Sequence, residues 1–409
     1  MILYEHKEIG ESALRLRFSF HLGWIVAVLC WMGTVAKAHA GGRVVAWGRN
    51  DYNQTNVAAA ATNVLELAGG LYHSLALRTD GTVVGWGDNS DNQRAIPGSA
   101  TNTIAIAAGG NVGLALGMNT NISAWGDFTY EQTDVPAAAS NAVAVSCGFY
   151  HCLAQLPNGT VAAWGTGTNN LQDDIDYGQA LVPSALSNVV AVSAGGWHSL
   201  VLKSDNTLAA WGRNTSGEAS IPSGLSNVVA ISAGGAHNLA LKSDGTVFAW
   251  GDNTWGQTAV PASATNVVAV AAGGWHSLAL KRDGTVMAWG DNGYTPPGTT
   301  VQIPSGQTNV PAGLTNVVAI AAGGWHSLAL VDTNAPVLAV SLTNGVWQSN
   351  QFRIPVPTRN GRVYQLEYKN SVTVTNWTPL PLTAGTGGTR VLTDTTATNQ
   401  LRIYRVLRW

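Results

Sequence analysis

Ala272-Gly273-Gly274-Trp275-His276-Ser277-Leu278-Ala279-Leu280, then Asp283-Gly284-Thr285-Val286, then Ala288-Trp289-Gly290-Asp291-Asn292, is the fullest copy of a unit written seven times along the chain. Its histidine column falls at His73, Val112, His151, His198, His237, His276 and His326, in steps of 39, 39, 47, 39, 39 and 50 residues. Its Trp-Gly column begins at Trp47, Trp86, Trp125, Trp164, Trp211, Trp250 and Trp289. A fixed period of this length means one small supersecondary unit, stacked on itself to hide a face it cannot bury alone. Within the unit, Val267 to Ala271 is a short apolar run suited to a strand covered on both faces. Gly273-Gly274 turns the chain, and Ser277 to Lys281 returns as a second strand. Asp283-Gly284 reads as a two-residue type I′ hairpin into a third strand, Thr285 to Trp289. No 3.6-residue periodicity is present, so the fold class is all-β, and seven copies predict a seven-bladed β-propeller.

The ends predict how the ring closes. The last copy stops at Leu330-Val331-Asp332 without a third strand, and the first begins with only a third strand, Arg43 to Trp47. Arg43 to Trp47 therefore completes the sheet begun at Val317, which removes an open edge. The propeller accordingly spans 41–332. Residues 1–40 read as an export signal: Lys7, Arg15 and Arg17 precede an apolar stretch from Leu22 to Val35, and Ala36-Lys37-Ala38-His39-Ala40 offers small-residue cleavage sites. The alternative is an uncleaved anchor, for which that stretch is short. No other segment is apolar enough to span a bilayer, so the mature chain is expected to be extracytoplasmic and monomeric. In 333–409 the repeat vanishes. Pro336 to Leu342, Gln351 to Val356, Val363 to Tyr368, Thr389 to Thr393 and Leu401 to Leu407 read there as strands of a small antiparallel β-sandwich.

Charged residues make up 11% of the 409-residue chain and the net charge is −2, with no basic stripe, which excludes the electrostatic footprint of a nucleic-acid binder. Cys147 and Cys152 flank the turn Gly148 to His151, replacing the Ala and Ser of the repeat. Their spacing suits either a small disulfide or two buried small side chains.

Six histidines at equivalent positions lie around a ring and cannot converge on one ion at the ~2 Å a ligand requires. Each is read instead as bonding backbone within its own blade, and the seven tryptophans as blade core. No nucleophile with a positioned base, no phosphate-cradling loop and no paired carboxylates stand out, so no catalytic, metal or cofactor residues are assigned. The residue before each histidine varies: Tyr72, Asn111, Tyr150, Trp197, Ala236, Trp275 and Trp325. Tyr72, Tyr150, Trp197, Trp275 and Trp325 would form an aromatic arc at one end of the ring, the kind of surface that binds a protein or glycan partner. Both insertions, Thr166 to Pro183 and Gly293 to Pro311, leave from the same end. The first carries Asp173, Asp174 and Asp176, read as a solvated acidic loop.

The motif Gly-Gly-Trp-His-Ser-Leu-Ala-Leu followed by Asp-Gly-Thr-Val-x-Ala-Trp-Gly resembles the regulator-of-chromosome-condensation repeat family over Gly41 to Asp332. The resemblance implies a seven-bladed propeller closed by strands from both ends. The family's founding activity is nucleotide exchange on a small GTPase, and no distinct exchange wedge is visible here. The loop pattern Ala-Trp-Gly-Asp-Asn-x-x-Gly-Gln-Thr-x-Val-Pro is similar to exported bacterial members, one subgroup of which inhibits β-lactamases through one propeller face. The tail, with Gly361 to Tyr368, Asn376-Trp377 and Tyr404-Arg405-Val406, looks like a short C-terminal β module of exported bacterial proteins. The expectation is an exported, non-enzymatic binding scaffold. Inhibition of an extracellular enzyme and guanine-nucleotide exchange are the alternatives.

Overall fold

The computed structural model describes residues 42–168, 175–294, 303–332, 346–348, 351–359, 362–371, 374–397 and 402–409. The expected export signal, Asp173, Asp174 and the expected strand Pro336 to Leu342 lie outside them.

Seven three-stranded antiparallel sheets form the propeller. Blades 1 to 3 are Val64–Gly69, His73–Arg78 and Val83–Gly87; Thr103–Gly109, Val112–Gly117 and Ile122–Gly126; and Ala144–Cys147, His151–Gln155 and Val161–Gly165. Blades 4 to 6 are Val189–Ala194, His198–Lys203 and Leu208–Gly212; Val228–Ala233, His237–Lys242 and Val247–Gly251; and Val267–Ala272, His276–Lys281 and Val286–Gly290. Blade 7 joins Val317–Ala322 and His326–Val331 to Arg43–Gly48, which runs antiparallel from Arg43 opposite Val331 to Gly48 opposite His326. Middle strands are covered by neighbouring blades on both faces, so Leu75, Leu114, Leu153, Leu200, Leu239, Leu278 and Leu328 are fully buried. Full burial of such a side chain contributes roughly 1.5–3 kcal/mol.

The same contacts repeat between blades. Each Trp of the Trp-Gly column donates its indole Nε1–H to the backbone carbonyl of the loop residue that precedes its blade: Trp86 to Gln54, Trp164 to Gln132, Trp289 to Gln257, and, across the two chain ends, Trp47 to Gln307 at 2.9 Å. A belt of backbone bonds links the turns. Leu71 N–H donates to Gly110 O, Gly110 to Gly148, Gly274 to Gly323, and Gly324 back to Gly70.

One local reading is corrected. The Asp-Gly hairpins are not type I′: of the two residues only the second has positive φ, as at Gly81, Gly159, Gly245 and Gly284 (78° to 79°). Lys281 N–H bonds Thr285 O and Gly284 N–H bonds Lys281 O, a type I turn closed by a glycine bulge. The turn glycines are needed for close approach, not for φ. A Cβ on Gly70, Gly195, Gly234, Gly273 or Gly323 would collide with the blade's own imidazole.

Beyond the ring, two sheets share one core. One holds Val346–Gln348, Gln351–Pro357 and Thr389–Asp394; the other holds Thr378–Ala384, Val363–Lys369 and Ile403–Arg408. Phe352, Ile354, Tyr364, Leu366 and Val406 fill the space between them. Thr378–Ala384 went unread in the sequence because Pro379 and Pro381 argue against a strand. It is an edge strand, where a missing N–H is tolerated. This module docks on the Asp-Gly hairpin side of the ring. Leu382 N–H donates to Ser243 O at 2.9 Å, Arg282 bonds Gln365 at 2.7 Å and pairs with Glu367, and Arg362 lies 3.3 Å from Glu66. Val363, Leu382 and Ala384 join the propeller's largest apolar cluster.

Candidate partner-binding face

The histidine column is structural, and the bond it makes differs from the sequence expectation. All six imidazoles are fully buried, and all but His73 reach the next blade, not their own backbone. His151 Nε2 meets Ser199 Oγ, His198 meets Asn238 Oδ1, His237 meets Ser277, His276 meets Ser327 and His326 meets Ser74, at 2.8–3.0 Å. Ser327 in turn donates to Gln307 O, as Ser277 does to Gln257 O. The serine hydrogen is thus committed, and the imidazole must donate from Nε2–H. Burial holds these rings neutral, pushing His151, His237, His276 and His326 down to about 3 and His73 to about 4. A ring held this way is unavailable as a general base.

The turns above these histidines all open on the end opposite the C-terminal module. Every residue of the expected arc is present there and half-buried. Trp275 and Trp325 stack at 4.4 Å between ring centroids, and Trp325 stacks on Tyr72 at 5.2 Å. Tyr150 lies 5.8 Å from Trp197. The two groups are joined by Phe149, which contacts Trp197 at 5.4 Å edge-on and Trp275, from the far side of the ring, at 6.1 Å. Phe149 occupies the slot that is the second glycine in five other blades, and its backbone abuts Gly110 while its ring abuts Gly196. It lines the mouth of a central channel of about 280 Å³ walled by Gly, Ala and Ser, among them Ser146, Ser193 and Ser232. Those hydroxyls accept the next blade's backbone N–H at Ala194, Ala233 and Ala272.

A second set of residues was missed in the sequence. Each third strand exits into a loop with a buried Gln or Glu, and the residue two before it varies: Tyr52, Asp91, Tyr130, Tyr177, Ser216, Trp255 and Ser305. Tyr52 lies 4.8 Å from Tyr72, and Tyr130 meets Tyr150 edge-on at 5.3 Å. Arg49 sits 5.3 Å over Tyr72 and 5.4 Å over Trp325, and Arg213 sits 5.2 Å over Trp197. The signal that marks the turn slot, variation on a constant frame, was present at this slot too.

Four segments, 64–93, 189–218, 228–257 and 267–295, match the regulator of chromosome condensation (RCC1) repeat. The unmatched blades are those with altered columns, the second with Val112 and the third with its cysteines, and the seventh, split between chain ends. No curated protein sequence matches the chain. Among solved structures, Prp20p of Saccharomyces cerevisiae is 20% identical over 72% of this chain and 92% of that one, with a TM-score of 0.55. Yeast RCC1 (Prp20), in its structure with Kap60, is 20% identical over 82% and 97%, with a TM-score of 0.56. Human WBSCR16 is 19% identical over 71% and 99%, with a TM-score of 0.53. Four of the seven blades thus match the RCC1 repeat, and the chain folds as a seven-bladed β-propeller.

Proposed function

We propose that this protein is an exported, non-enzymatic binding scaffold that engages a protein or glycan partner through the end of the propeller bearing Tyr72, Tyr150, Trp197, Trp275 and Trp325. The observation that carries the reading is the continuous aromatic surface across that end, joined through Phe149 and lying opposite the docked C-terminal module. Tyr and Trp supply contact area at low entropic cost, and a fold that buries its histidines in inter-blade bonds leaves the loops free to vary. The structures that share the fold are described with partners: Prp20p with Gsp1p and histones, and yeast RCC1 with Kap60. Export is inferred from 1–40 alone.

The test replaces Trp197, Trp275 and Trp325 together with Ala. A partner retrieved from the host's envelope fraction by the wild-type chain, identified and purified, should bind the triple variant at least about a hundredfold more weakly. Circular dichroism verifies that the variant is folded. Unchanged affinity in a folded variant rules this face out, and a direct inhibition assay against extracellular enzymes tells whether binding also blocks activity.

A further inference from the structure

The repeats allow blades to be compared with one another, and one sector of the aromatic end departs from the rest. The second residue after Trp-Gly is Asn50, Asn89, Asn214, Asn253 and Asn292 in five of seven copies. Each of these side chains accepts a backbone N–H later in its own loop at 2.9–3.0 Å. In the loop between blades 2 and 3 the slot holds Phe128, which is 76% exposed. That loop lacks its internal cap and presents an apolar ring to water. A local rule broken this way on a surface marks a site and not a folding need.

The neighbours change with it. Before blade 1, Arg49 lies over Tyr52, Tyr72 and Trp325. Before blade 3 the two tyrosines are kept, as Tyr130 and Tyr150, but the arginine slot holds Asp127 and the tryptophan slot holds Asn111. Asp127 Oδ1 accepts from Thr129, leaving Oδ2 without a protein partner among the described residues. Asn111 donates to Asp91 at 2.9 Å, and Glu131 is exposed in the same loop. Burial pushes the Tyr150 phenol up, and Tyr130 and Asp127 add to it, so the carboxylate is near enough to act on the ring. One sector thus folds two tyrosines around its own guanidinium. The other pairs two tyrosines with Asp127 in the slot of the guanidinium, and no cation of the described residues lies over either ring.

We propose that the sector of Phe128, Tyr130, Tyr150 and Asp127 receives an arginine or lysine side chain of a partner protein. The cation takes the place there that Arg49 takes between Tyr52 and Tyr72, and Phe128 packs on the partner beside it. The proposal rests on the partner-binding reading of this end and names the chemistry of the partner. Charge agrees. Between strand exit and buried Gln or Glu, the loops present Asp51, Asp88, Asp91, Asp127, Glu131 and Asp252 at least partly to solvent, against Arg49 and Arg213, which already lie over rings. Lys203, Lys242 and Lys281 sit at the opposite end of their blades. Such a field steers a basic partner and repels an acidic one.

The probes are labelled peptides of alternating Gly and Arg or Gly and Lys, with a Gly-Glu peptide and a neutral oligosaccharide as comparators, titrated against the full chain at low salt. The cationic peptides should bind saturably and lose affinity as salt rises. Asp127→Arg places in this slot the residue the fold already accepts at Arg49 and Arg213, and should weaken binding at least about tenfold. Phe128→Asn restores the loop cap and should weaken binding severalfold with thermal stability kept or raised. The proposal is overturned by unchanged peptide affinity in folded Asp127→Arg, by no saturable cationic binding to the wild type, or by preference for the oligosaccharide. Natural-partner binding lost in the tryptophan triple variant but intact in Asp127→Arg would leave the face standing and this sector refuted.

Discussion

Neither ring nitrogen of His73 has a hydrogen-bond partner among the described residues, although the ring is fully buried. The reason lies one blade on, where the serine of the column is replaced by Gly113, and a Cβ there would collide with the Trp125 indole. The adjacent break is matched at both ends: Val112 replaces the histidine and Cys152 the serine it would have met. These substitutions were visible in the sequence as paired exceptions about 40 residues apart. They were not read because each histidine was assigned to its own blade, and only the ring geometry shows that its partner belongs to the next copy. The energetic consequence is specific. His276→Val deletes a donor that Ser327 accepts, whereas His73→Val deletes an unsatisfied one. We expect His276→Val to lower stability by about 1–2 kcal/mol more than His73→Val in chemical denaturation. Equal losses would show that the Nε2 bonds contribute nothing net.

At the level of the strand and its turn, blade 3 is the exception within the proposed binding face. Cys147 and Cys152 face each other across the hairpin and are joined as a disulfide, which settles the choice the spacing left open. The covalent link closes the turn that presents Phe149 and Tyr150, and Phe149 is the ring that joins the two aromatic groups. This turn has lost the second glycine, and Cys152 stands where the blade 2 histidine, now Val112, would have found a serine, so the cross-link stands where other turns draw contacts from the repeat. Changing both cysteines to the column residues, Cys147→Ala with Cys152→Ser, should cost up to about 2 kcal/mol for a loop this short. A melting temperature unchanged in the double variant and under reductant would remove the disulfide's structural role. The elements themselves were largely legible: the period located three strands in every blade, because mostly apolar inner strands recur and the Trp-Gly third strand recurs in every copy. The hairpin type was misread because Asp-Gly is shared by two turn geometries, and Pro379 and Pro381 hid an edge strand. The turn aromatics were found because they vary against constant glycine and histidine. Tyr52, Tyr130, Phe149 and the two arginines were not, since their contacts arise between copies.

Across the whole ring the buried imidazoles act together. Arg43–Gly48 pairs with His326–Val331, Trp47 reaches Gln307, and Gly324 bonds Gly70, so the blades share one closed set of contacts and should unfold as a unit. His73, His151, His237, His276 and His326 are held at about 3 to 4 by burial, and burial lowers His198 as well, against an ordinary value of 6.5. Their folded pKa lies below the unfolded one, so the unfolded chain binds more protons at any pH between the two. The stability is therefore complete above pH 6.5 and is lost as pH falls from there toward 3 to 4. Each of the five rings held at about 3 to 4 loses about 2 kcal/mol by pH 5, together about 10, comparable to the whole stability of an ordinary domain, and His198 acts in the same direction. The Thr-bonded carboxylates Asp80, Asp205, Asp244 and Asp283 are also lowered and act in the same direction at still lower pH. The melting temperature, followed by circular dichroism, should hold level from pH 8 to about 6.5. It should then drop steeply, with the five rings held at about 3 to 4 taking up about five protons on unfolding near pH 5, and His276→Gln should remove one of those protons. A melting temperature that stays level to pH 4.5 would mean that the rings are charged or solvated in the folded propeller, and their burial as neutral donors would then lose its basis.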